Sequence, residues 1–120
     1  MSKSILFALA LGLAVSASAA ESKAASQTVK GEIVDMACYM GHAGKGEKHA
    51  ECAKSCVANG APMGLLKADG NVVLLVNDHK KEQAYADAKT LAGESVAITG
   101  NVVNRGGLTA LVVEKAEKGK

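Results

Sequence analysis

The chain has 120 residues, with 14 Lys and Arg against 12 Asp and Glu, a net charge of +2, one Phe, two Tyr and no Trp. That length makes one domain, and so near a balance of charge gives no long-range pull toward nucleic acid or an anionic membrane. The scarcity of aromatic rings removes the stacking platforms that single-stranded nucleic acid needs. It also leaves the core to Val, Leu, Ile, Ala and Met.

The N-terminus has the three zones of a secretory signal peptide: Lys3, an apolar run from Ile5 to Val15, and the small-residue triplet Ala17-Ser18-Ala19. Residues 1–19 are therefore expected to be removed on export, with the mature chain beginning at Ala20 or Glu21. The apolar run is shorter than the about 20 residues a membrane span requires, so no membrane insertion is expected. Cleavage takes away only Lys3 among the charged residues and leaves a net charge of +1. Residues 20–27 are small and polar and predict a flexible leader, residues 28–115 a single domain, and residues 116–120 a charged tail.

Thr28 to Asp35 alternates as a strand does, with Val29, Gly31 and Ile33 on one face. Met36 to Gly46 is Gly-rich and irregular and predicts a loop. Glu47 to Asn59 predicts a short helix, stopped by Gly60 and Pro62. A hairpin follows, from Gly64 to Lys67 and Val72 to Val76, turning at Ala68-Asp69-Gly70-Asn71. Asp78 is an expected N-cap for a helix over His79 to Leu91 that turns Ala84, Ala88 and Leu91 to the core and stops at Gly93. A second hairpin, Ser95 to Val103 and Leu108 to Glu114, is joined through Asn104-Arg105-Gly106-Gly107. The order predicts a mainly β fold with two helices: a small five-stranded OB-like barrel with a helix-containing Cys/His insertion after the first strand. Gly31 and Gly100, inside strands, suit the bends such a barrel needs.

The chemistry is concentrated in that insertion. All three cysteines and two of the three histidines lie in it, from Cys38 to Cys56. On a helix, His49, Cys52 and Cys56 fall within a sector of about 60 degrees. Cys38 lies just before them and can supply a fourth ligand, with Met40 and His42 as possible additions. Three thiols and an imidazole match zinc in number and type, and thiolates with a thioether nearby suit Cu(I). The alternative is structural. A disulfide from Cys38 to Cys52 or Cys56 would stabilise the domain by about 2 to 4 kcal/mol and leave one thiol over. The chain has no C-x-x-C-H, C-x-x-C or H-E-x-x-H motif. Met36, Met40 and Met63 suit gap-filling in a core, and His79 an exposed position.

The C-x3-C pair Cys52 and Cys56 is similar in spacing to the copper-binding pair of Sco-type copper chaperones, which also use a His, although the strand order here is not their thioredoxin fold. More of the chain, from Gly31-Glu32-Ile33-Val34-Asp35 through Cys38, His49, Cys52-Ala53 and Cys56 to Gly60, Pro62 and Gly64, resembles an uncharacterised family of small exported bacterial OB-like proteins. The resemblance implies an exported OB-like domain with a Cys/His site and implies no reaction.

Three functions stay open at this point. One is a periplasmic or secreted copper or zinc carrier, buffer or sensor, ligated by Cys38, His49, Cys52 and Cys56, whose partners are the metal ion and another exported protein. Another is a non-enzymatic OB-fold binding or adaptor module whose cysteines are structural. The third is a thiol oxidoreductase using Cys52 or Cys56, activated by His49 at the helix start, where the dipole lowers a thiol pKa. No complete catalytic constellation supports an enzyme.

Overall fold

The first strand of the computed structural model, β1 (Gln27–Asp35), carries Val29, Gly31, Ile33 and Asp35 on one side of its pleat, and the burial deepens along it until Ile33, Val34 and Asp35 are all buried. The structure describes residues 25–120; the expected signal peptide and most of the leader lie outside the described residues. β1 pairs antiparallel with both β2 (Met63–Leu66) and β4 (Ser95–Arg105). β3 (Val72–Asn77) pairs antiparallel with β2 and parallel with β5 (Leu108–Lys118), and β4 with β5 completes a closed barrel in the order β1-β2-β3-β5-β4. This is the five-stranded OB-like architecture that the sequence order predicts.

The turns follow local chemistry. Gly70 takes φ +84° in the β2–β3 hairpin, where Asp69 Oδ1 accepts from the Asn71 N–H. Gly106 and Gly107 both have positive φ and form the two-residue β4–β5 loop, with Arg105 opposite Leu108. At the bulge between Thr99 and Gly100, a Cβ added to Gly100 would run into the Val112 carbonyl, and one added to Gly31 would run less deeply into the Leu66 carbonyl. No side chain fits at either corner.

Among the described residues there are three α-helices, where two were expected. The run from Met36, read as a loop, begins with α1 (Met36–His42). Asp35 caps it, its Oδ1 accepting from the N–H groups of Ala37 at 2.9 Å and Cys38 at 3.4 Å. Ala43, at φ 56° and ψ 36°, ends it in the αL motif, its N–H reaching the Tyr39 carbonyl, while Gly44 N–H reaches the Cys38 carbonyl. A seven-residue helix with no buried side chain has no hydrophobic period to betray it. The expected Glu47–Asn59 helix is divided into a 3-10 turn, Glu47–His49, and α2 (Ala50–Ala58), which buries Ala53 and Val57. α3 (Glu82–Thr90) starts later than expected, because Asp78 closes a turn onto Lys80 N–H instead of capping the helix. It buries Ala84 and Ala88.

The core comprises Ile33, Met63, Leu65, Leu75, Ile98 and Leu111 with their smaller neighbours, so Met63 is the gap-filler expected. β5 runs past Glu114 to Lys118, taking up most of the charged segment assigned to a tail. The start of β4 needs partners there, and Val96 stands opposite Lys118 while Gly119 N–H bonds the Ser95 carbonyl. Among the described residues, no helix is long and apolar enough to cross a membrane.

Candidate metal centre

Asp35 continues the inward face of β1 and is fully buried at the junction of β1 and α1. Because it caps α1, the third residue of that helix, Cys38, is held one turn above it. Cys52 and Cys56 stand one turn apart on α2, beside the Ala53 and Val57 pair that anchors this helix to the core, and their Sγ atoms are 4.0 Å apart. The Sγ atoms of Cys38, Cys52 and Cys56 all lie within 4.8 Å of one another. Cys52 is exposed, while Cys38 and Cys56 are half-buried. All three are free thiols, so the disulfide considered as the alternative use of Cys38 is not formed.

His49 is placed differently from the helical projection. It ends the 3-10 turn and is the residue before α2, with φ −106° and ψ −4°, so it is not part of the regular helix that carries Cys52 and Cys56. It lies instead with Asp35 and Cys38, one donor atom from each falling within 4.8 Å of the others. Gly44 makes room for its ring, and the ring of His42 meets it edge-on at a centroid distance of 5.5 Å. His42 itself is exposed, as are Met40, at 73%, and His79.

The electrostatics follow from this crowding. The Cys38 thiol proton is drawn to the Asp35 carboxylate, and burial and the nearby charges of Asp35, Cys52 and Cys56 add to that hold, so its pKa is pushed up to about 12. Burial raises the pKa of Cys56 first, helped by its interaction with Cys52. Burial also opposes ionisation of Asp35, but the Cys38 thiol and the N–H groups of Cys38 and Ala37 outweigh it and bring the carboxyl below its usual value. Asp35 Oδ2 has no hydrogen-bond partner, and neither has His49 Nε2; both atoms are buried.

The three-sulfur cluster can hold a metal ion. With metal–sulfur bonds of about 2.3 Å, sulfurs sit about 3.8 Å apart around a tetrahedral centre and about 4.0 Å apart around a trigonal one, so closing on an ion needs only small side-chain shifts. The sequence reading passed over Asp35. The available signal was the alternation Val29, Gly31, Ile33, Asp35, which points a carboxylate inward three residues before a cysteine. Comparison of the chain with protein-family models, curated proteins and solved structures finds no match.

Proposed function

We propose that this is an exported, periplasmic or secreted protein that binds copper or zinc through Cys38, Cys52 and Cys56 and acts as a carrier or buffer for the ion. The observation that carries the reading is the mutual approach of three free thiols from two helices to within 4.8 Å. Three thiolates satisfy Cu(I), which prefers soft sulfur, and with one further ligand they satisfy zinc. The exposure of Cys52 favours exchange with a partner over permanent storage, since an incoming ligand reaches the ion from that side. The raised pKa of Cys56 speaks against that residue as the attacking cysteine of a thiol oxidoreductase, which needs a lowered one.

The test is titration of reduced protein with Cu(I) and Zn(II) against a competing chelator, beside Cys38→Ser, Cys52→Ser and Cys56→Ser. Each replacement is expected to weaken binding at least tenfold, while His79→Ala leaves it unchanged. Binding no tighter than to buffer in the wild type refutes the reading and returns the cysteines to a structural role.

A further inference from the structure

Beside the three sulfurs lies a second set of donors that the proposed site does not use. Asp35 is wholly buried, forms no salt bridge among the described residues, and leaves Oδ2 without a hydrogen-bond partner. A buried carboxylate without a counter-charge is costly. His49 Nε2 is likewise buried and unpartnered. These two side chains converge on Cys38, one donor atom from each of the three lying within 4.8 Å of the others. Gly44 shapes the place for the imidazole: a Cβ there would stand 2.7 to 3.0 Å from three atoms of the His49 ring.

We propose that Asp35, Cys38 and His49 form a second metal position that shares the Cys38 sulfur with the first, so that the loaded chain holds two ions. The proposal rests on the three-sulfur reading and extends it. A donor set of one oxygen, one nitrogen and one sulfur suits zinc, which accepts all three, better than Cu(I). Charge supports a pair of ions. Three thiolates and Asp35 carry four negative charges, which one divalent ion leaves half balanced and two balance fully.

Zinc is the probe, added to the reduced chain and counted by native mass spectrometry with chelator competition. The wild type is expected to bind two zinc ions, and Asp35→Asn and His49→Ala one each. Asn accepts the same N–H groups at the cap, so α1 is kept, and far-UV circular dichroism checks both variants; if one fails to fold, the other decides. The Cys52→Ser, Cys56→Ser double variant is expected to retain one ion, at the Asp35–Cys38–His49 position. Saturation of the wild type at one zinc, or two ions persisting in both Asp35→Asn and His49→Ala, overturns the second position and leaves the first intact. Binding of no zinc overturns both.

Discussion

Replacing Gly44 by Ala is the narrowest probe of the second metal position, because it touches no donor atom. The added methyl would stand 2.7 Å from His49 Nε2, 2.9 Å from Cε1 and 3.0 Å from Cδ2. Unstrained contact needs about 3.4 Å or more, so the ring must retreat by about 0.7 Å. Metal–ligand distances tolerate only about 0.2 Å, and the position should be lost. The fold should tolerate the change. The displaced atoms belong to the end of a side chain, Gly44 does not hold a left-handed conformation, and Ala restricts the unfolded chain by a compensating amount, so stability is expected to stay within about 1 kcal/mol. Gly41→Ala is the matched control. A Cβ there meets nothing within 4 Å, and inside α1 the exchange should stabilise the helix by about 0.5 to 1 kcal/mol without altering zinc binding. Isothermal titration with zinc and thermal melts of the apo proteins read both quantities. If Gly44→Ala binds two zinc ions with wild-type affinity, His49 does not ligate from the place described and the reasoning fails.

Four further outcomes are expected. Because the pKa values of Cys38 and Cys56 lie above the ordinary 9.0, metal binding at neutral pH displaces at least two protons; affinity measured by chelator competition should fall about 100-fold per unit of acidification, and a fall under tenfold contradicts the site. In the apo protein the raised Cys38 pKa contributes stability that is complete below the ordinary value of 9.0 and is lost as pH rises toward about 12. The melting temperature should therefore drop more steeply across that window in the wild type than in Cys38→Ser, and parallel curves would refute the shift. Gly100→Ala drives a methyl into the Val112 carbonyl at the barrel bulge and should cost about 1 to 3 kcal/mol or more, seen as a lowered denaturation midpoint. Protein recovered from the periplasm should begin at Ala20 or Glu21 by intact-mass analysis, and retention of Met1 in exported material would remove the export reading.

What the amino-acid sequence determined by itself is whatever depends on neighbours along the chain. Alternation with a period of two marked the strands, Asp69-Gly70 and Gly106-Gly107 marked the hairpins, and Ala84 with Ala88 marked the buried side of α3, since each signal is complete within a few residues. The sequence also showed that the chemistry is gathered between Cys38 and Cys56. Only the tertiary structure decided how those donors are divided. α1 has no buried side chain to give it a period, and its start depends on the Asp35 cap, so the helix that lifts Cys38 toward Cys52 and Cys56 was invisible beforehand. His49 falls with Asp35 and Cys38 because it stands before α2 as its cap residue and not within its regular turns. Ala116 to Lys118 read as tail by composition but became strand, because the first residues of β4 require hydrogen-bond partners. Asp35 was legible as an inward-facing residue, yet its burial depends on β1, α1 and their neighbours closing around it. Burial turns an ordinary strand-end carboxylate into an anion without a counter-charge beside the Cys38 thiol, because the loss of water is a property of the assembled fold and of no local segment.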